Sequence, residues 1–223
     1  MKRFDRVLLY SGGIDSYIGY YYLHKPQLIS FDLGSRYTEK EFKYNPLKNT
    51  NIIFDSSLKW LGQQEEILNA HIPFRNLHLA LTAVTKYSDT VYICGLKDDN
   101  MTDKNKEVFK LWSEHFSFLE DKKIQILSPF WEMTKEDVVK WYSQNYDKNN
   151  LLKTISCYSE DDTLYCGGCQ ACFRKACALF SIGLILPFYD KKILNYYQDR
   201  LDKNLYNKQR EDTMREYIRY VNK

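Results

Sequence analysis

Two groups of residues in this chain have the types and spacing to do chemistry. The first is Ser11, Gly12, Gly13, Ile14, Asp15 and Ser16, which follow the short apolar run RVLLY at 6 to 10 and precede a stretch with helical spacing. Small residues between a strand and a helix leave backbone N–H groups unhindered at a helix N-terminus, where the peptide dipoles favour an anion. The two serine hydroxyls add donors, and the Asp15 carboxylate can bind Mg²⁺ or orient a loop, so phosphate is the expected guest. The plainer reading is a strand-to-helix turn whose glycines serve geometry alone. The chain has neither GxxxxGK[ST] nor GxGxxG, which excludes a Walker cradle and a dinucleotide fingerprint.

The second group is the run SCYSEDDTLYCGGCQAC. It spaces Cys157, Cys166, Cys169 and Cys172 as C-x8-C-x2-C-x2-C. Four thiolates so spaced suit a closed tetrahedral Zn²⁺ site, with Gly167 and Gly168 allowing the tight turn that brings two of them to one ion. An iron–sulfur cluster is the main rival. Because protein would fill every coordination position, the metal is expected to hold structure and not to catalyse. Cys94 and Cys177, the remaining two of six cysteines, read as small buried hydrophobes.

The elements that must position these groups follow from hydrophobic patterning. Apolar runs at 6 to 10, 27 to 31, 51 to 55, 90 to 95 and 123 to 130 are continuous and not alternating, as expected of buried parallel strands. Helical spacing at 17 to 23, 74 to 87 and 107 to 119 separates them, and Thr134 with Asp137 forms a capping box opening a helix over 135 to 146. Strand alternating with helix predicts an α/β fold with a doubly wound, mainly parallel five-stranded sheet.

That sheet domain is expected over 1 to 150, a cysteine segment over 151 to 180, and a helical tail over 181 to 223. A polar linker is expected at 147 to 153. Leu194, Tyr197, Leu201 and Leu205 mark the tail as one amphipathic helix that packs on the body or on a second subunit, as in a homodimer.

Composition narrows the setting. With 223 residues, 44% hydrophobic and 27% charged, the chain has room for one large core and an accessory element. The N-terminal apolar run is too short for a signal peptide core or a membrane span, so a cytoplasmic protein without membrane association is expected. Net charge is +3, and nine Lys/Arg against six Asp/Glu from position 190 onward account for the whole excess. A neutral body argues against direct nucleic-acid binding. The four histidines form no evident catalytic set.

SGGIDS resembles the pyrophosphate loop of the ATP pyrophosphatase superfamily, whose members cleave ATP between the α- and β-phosphates. Together with SCY and CGGCQAC it resembles the 7-cyano-7-deazaguanine synthase family. FDLGSR (31 to 36) is similar to that family's FDYGQR, IPFRN (72 to 76) to its VPxRN, and SPFWEMTKEDVV (128 to 139) to its TPxxxxTKxEIV.

The resemblance implies an adenine nucleotide alpha hydrolase-like fold and an ATP-dependent ligase. Such an enzyme would convert 7-carboxy-7-deazaguanine with ammonia, through an amide, to the nitrile of queuosine and 7-deazaguanine biosynthesis. It further implies that Ser11, Gly12, Gly13, Asp15 and Ser16 hold the departing pyrophosphate with Mg²⁺, and that Tyr10, Phe31 and Arg36 border the nucleotide. Arg75 and Lys135 join Asp15 as catalytic candidates. Arg75, Asn76, Asp98 and Asp103 are the candidates for substrate. A guanidinium binds oxyanions bidentately, although Arg75 could equally close a loop by a salt bridge and Lys135 could sit exposed in a first helical turn.

The chain departs from the family pattern at three places. Leu33, Ser35 and Tyr37 replace the aromatic, Gln and His of YGQRH, and Lys175 stands where an Arg follows the last cysteine. The loop GLKDDNMTDKNKEVF (95 to 109) is about two residues shorter than its counterpart GxNxxDxSGYPDCRxxF. Two other readings follow from such departures: a relative that passes an activated deazaguanine acyl group to another amine, and an inactive nucleotide-binding scaffold.

Overall fold

The fold is described from a computed structural model, over residues 3–66, 71–97, 99 and 102–223. Five short strands, β1 (Val7–Leu9), β2 (Gln27–Phe31), β3 (Ile52–Asp55), β4 (Thr90–Tyr92) and β5 (Gln125–Leu127), form one sheet. Their order is β3-β2-β1-β4-β5, and every pairing is parallel. The strand run predicted at 123 to 130 is ordered as a strand only over three residues; Ser128 turns the chain away, its hydroxyl bonding both the N–H and the C=O of Gly95.

Helices cover both faces because residues on successive strand positions are buried on opposite sides. Val7, Leu9, Ile29, Val91 and Ile126 pack under α3 (Arg75–Lys86) and α4 (Lys106–Glu120), while Leu8 and Leu28 pack under α1 (Ile14–Tyr22) and α5 (Lys135–Asn145). Burying each such aliphatic side chain contributes about 1.5–3 kcal/mol before the entropy of ordering it is set against that gain. The capping box read from Thr134 and Asp137 is present with both reciprocal hydrogen bonds and starts α5 at Lys135.

One edge of the sheet is closed chemically. The outward N–H groups of Ile124 and Ile126 donate to the hydroxyls of Ser117 (2.9 Å) and Ser113 (2.8 Å) on α4. Each hydroxyl donates its own hydrogen one turn back along α4, Ser113 to Phe109 O (2.7 Å) and Ser117 to Ser113 O (2.6 Å).

Several elements depart from the sequence reading. The short α2 (Thr38–Lys43), a 3-10 helix over Lys59–Gln64 and the helix Gln170–Phe180 within the cysteine segment are not among the expected elements, and the linker expected at 147 to 153 is a 3-10 helix over Lys148–Lys153. The tail is two helices, α7 (Lys191–Asp202) and α8 (Lys208–Val221), and not one. Asn204 takes a left-handed backbone and Asn207 caps α8 by accepting from Arg210 N, so the helix cannot run through. Leu205 therefore lies in the turn and is exposed, while Leu194, Tyr197 and Leu201 are buried as expected.

The tail packs on its own chain. Tyr197, Leu201, Met214 and Tyr217 join Phe173 of α6 (Gln170–Phe180), and Gln209 donates to Asp137 on α5. No helix among the described residues is long and apolar enough to cross a membrane.

Candidate active site and metal centre

In an open parallel sheet the chain order reverses at one point, and ligands bind in the crevice beyond the carboxyl ends of the strands there. Here that point lies between β1 and β4. The turn after β1 carries the Ser–Gly–Gly–Ile–Asp–Ser sequence, and the segment after β4 carries the shortened acidic loop.

The phosphate loop is built by its own small side chains. Ser16 Oγ donates to Gly13 O (3.1 Å) and accepts from Ser11 N (3.3 Å), while Gly12 adopts φ +75°, a conformation that disfavours any residue with a Cβ. Asp15 lies in the first turn of α1. Its Oδ2 is 3.0 Å from Lys135 Nζ, whereas its Oδ1 is buried and accepts no hydrogen bond among the described residues. A buried carboxylate oxygen without a partner is costly unless a ligand or cation completes it, so these residues fit a magnesium-bound nucleotide.

Across the crevice, Lys104 pairs with Asp99 at 2.6 Å and reaches the Cys94 carbonyl at 3.4 Å. Burial pushes the Asp99 carboxyl up, but the Lys104 ammonium prevails and holds it below its ordinary range. Asn76 on α3 donates to Asp103 at 3.0 Å, leaving the other Asp103 oxygen buried without a hydrogen bond among the described residues. Arg75 opens α3, preceded by Phe74 in a left-handed conformation. Its charge acts on Tyr37 and Glu41. Burial pushes the Glu41 carboxyl up to about 8, with Arg75 opposing and Glu65 reinforcing the shift. Glu65 also receives Arg36, through a backbone N–H at 3.1 Å and a guanidinium contact at 3.3 Å.

The structure thus brings Asp15 to Lys135 and Asn76 to Asp103. Tyr10 and Phe31 are buried, the first with its hydroxyl committed to Asn45 (3.0 Å) and the second packed on Tyr87. Asp98 lies outside the described residues. Sequence reasoning missed Lys104, Glu41 and Arg174. Arg174 on α6 is held up in pKa by Tyr158, Tyr197, Asp99 and Asp15 against the lowering effect of burial.

The four cysteines converge. Their sulfur atoms all lie within 4.8 Å of one another, and Cys166 Sγ to Cys172 Sγ is 3.8 Å. A tetrahedron of Zn–S bonds near 2.3 Å has sulfur–sulfur edges of ~3.8 Å. Cys157, Cys166 and Cys169 each accept a backbone N–H at 3.4 Å, from Ser159, Gly168 and Cys172 respectively, an arrangement that stabilises thiolates. The donor set can hold a metal ion and suits zinc. Cys94 and Cys177 are buried away from it, as small hydrophobes.

A family model described as "Queuosine biosynthesis protein QueC" matches residues 47–183, more than half of the chain. The chain belongs to the QueC family. The match includes the cysteine centre and α3 to α6; the phosphate loop precedes it, and α7 and α8 follow it.

Three archaeal proteins curated as 7-cyano-7-deazaguanine synthase are also similar. The one from Methanococcus aeolicus is 26% identical over 165 residues, 69% of this chain and 68% of its own length. That from Methanosphaera stadtmanae is 35% identical over 74 residues, 33% of this chain and 31% of the relative. That from Methanococcus maripaludis is 24% identical over 98 residues, 41% of this chain and 42% of the relative. The chain therefore spans about two-thirds of the first relative's length and less than half of the other two. A QueC family member of this kind takes part in queuosine biosynthesis.

Proposed function

We propose that this protein is a C–N bond-forming ligase that turns 7-carboxy-7-deazaguanine into 7-cyano-7-deazaguanine with ammonia and two ATP. The observation that carries the reading is the Asp15–Lys135 pair at the phosphate loop, set at the switch point of a chain whose curated relatives bear that enzyme's name. A carboxylate oxygen is a poor leaving group. Attack of that oxygen on the α-phosphorus of ATP expels pyrophosphate and leaves an acyl adenylate. Ammonia then adds to the acyl carbon, AMP departs with the oxygen, and the primary amide remains. The amide oxygen attacks a second ATP in the same way, and loss of two N–H protons with AMP as leaving group gives the nitrile.

No enzyme nucleophile is required, so positioning and charge neutralisation carry the rate. Backbone N–H groups of the loop and the hydroxyls of Ser11 and Ser16 receive the departing pyrophosphate, and Lys135 neutralises charge developing beside it. Mg²⁺ bound with ATP would supply further charge neutralisation at Asp15. Arg75 is suited to the acyl phosphate or the substrate carboxylate, while Asn76 and Asp103 are suited to the amino and ring N–H edge of the base. Arg36, held by Glu65, is suited to the nucleotide. Zn²⁺ held by the four cysteines stabilises the segment that follows the sheet.

Incubation with 7-carboxy-7-deazaguanine, ATP, Mg²⁺ and ammonium, followed by mass spectrometry, tests the reading. The nitrile should form together with AMP and pyrophosphate. Release of ADP and orthophosphate, or an acid left unconsumed, overturns it; activation of the acid without capture of ammonia points instead to another amine acceptor.

A further inference from the structure

Residues 152 to 159 form a strap between the sheet and the cysteine centre, and a buried lysine holds each end. Lys175 on α6, 1% exposed, donates through Nζ to the carbonyls of Leu152 (3.3 Å) and Thr154. Lys40 on α2, 6% exposed, donates to the Ser159 carbonyl and reaches Cys157 Sγ at 3.8 Å. No carboxylate among the described residues forms an ion pair with either lysine. An ammonium buried on backbone carbonyls is expensive to desolvate, so its place calls for a role in what those carbonyls belong to.

Between the two anchors the strap lies on the phosphate loop. Ile155 N donates to Gly12 O at 2.9 Å. A methyl group added at Gly12 would stand 3.3 Å from Ile155 Cδ1, and one at Gly13 would stand 3.4 Å from Ile155 O. The strap is thus hydrogen-bonded to the loop, with Ile155 about one methyl's width from Gly12 and Gly13. Both clamps also take hold at the cysteine centre, Lys40 through Cys157 and Lys175 because it sits one helical turn beyond Cys172.

We propose that Lys40 and Lys175 are positioning residues for the nucleotide. By pinning the strap they fix the phosphate loop in its anion-binding shape and couple that shape to metal binding at the cysteines. The nucleotide half of this inference rests on reading the loop as the ATP site. Coupling between two sites is reciprocal, so metal at the cysteines tightens nucleotide at the loop and nucleotide tightens metal.

Full-length metal-loaded protein carries the test, as wild type, Lys40→Met, Lys175→Met and Lys110→Met, the last replacing an exposed lysine on α4 that touches no part of the strap. Amide hydrogen exchange over 11 to 16 is measured without nucleotide, and affinity is measured for α,β-methylene-ATP with Mg²⁺. Both strap variants should exchange about tenfold faster or more and bind the analogue about tenfold more weakly, the scale of a lost charged hydrogen bond, while Lys110→Met matches wild type. Exchange at wild-type rate in both strap variants overturns the clamp. Should Lys175→Met fail to fold, Lys40→Met and chelator-stripped wild type make the same comparison, and stripped protein with unaltered exchange over 11 to 16 overturns the coupling. A wild type that binds no analogue while its exchange responds as expected removes the ATP reading and supports the clamp.

Discussion

Lys135 and Asp15 face each other across the carboxyl ends of the strands, Nζ 3.0 Å from Oδ2, one from the first turn of α5 and the other from the first turn of α1. Both side chains are about one-fifth to one-quarter exposed, so the cost of desolvating two charges offsets much of their attraction. The value of the pair is positional. A cation and a half-satisfied carboxylate are held at fixed separation where an anion is to arrive.

Replacing Asp15 by Ala should abolish substrate-dependent pyrophosphate release, and Lys135→Met should lower kcat by about 100-fold, the scale of one lost charge-stabilising contact. Circular dichroism and metal content should match wild type in both. A variant at Asp15 that retains full pyrophosphate release would remove this pair from the reaction.

Purified protein should carry about one zinc per chain, since four convergent thiolates leave no open position. Cys166→Ser or Cys169→Ser should lower zinc content, thermal stability and solubility. Elemental analysis showing iron with acid-labile sulfide would replace zinc by a cluster.

The Asn76–Asp103 contact predicts separable affinities. Asp103→Ala should weaken binding of 7-carboxy-7-deazaguanine about tenfold, from loss of an acceptor in a partly dry site, with ATP affinity nearly unchanged. Titrating each ligand alone into the variant checks this, and unchanged affinity for the acid places the base elsewhere.

Glu41 predicts a pH dependence of stability. Its carboxyl is raised by burial to about 8, so between the ordinary carboxylate range and that value the folded chain holds a proton that the unfolded chain has released. Stability from this group is full below about pH 4 and is lost as pH rises toward 8. Glu41→Gln, neutral throughout, should flatten that slope and stabilise the protein at pH 8 by about 1 kcal/mol or more, with a smaller gain at pH 5. Urea midpoints at the two pH values test it.

Sheet and metal centre were legible because their signals are local. Continuous apolar runs marked all five strands, Thr134 and Asp137 marked a helix start, and C-x2-C-x2-C marked a ligand set, each within a few residues. Glu41 and Arg174 were hidden because their meaning comes from partners far along the chain, and Lys104 because its partners Asp99 and Cys94 meet it only when the loop after β4 folds back. Glu41 is defined by Arg75 and Glu65, and Arg174 by Asp15 and Asp99. The break between α7 and α8 was hidden for a different reason: leucine spacing continues across it to Leu205, while the turn rests on Asn204 and Asn207, residues that helix periodicity does not weigh.

The serine hydroxyls laid along β5 have a consequence for how this protein meets its neighbours. An edge strand ordinarily offers a row of free amides and carbonyls on which another chain can stack, the first step toward fibrous aggregates. Here Ser113 and Ser117 already occupy the amides of Ile124 and Ile126, so a docking strand would first have to strip them away. Growth of the sheet is blocked on that side by two oxygen atoms borrowed from a helix, and Ser113→Ala with Ser117→Ala would expose a sticky border on a protein whose fold and site are otherwise untouched.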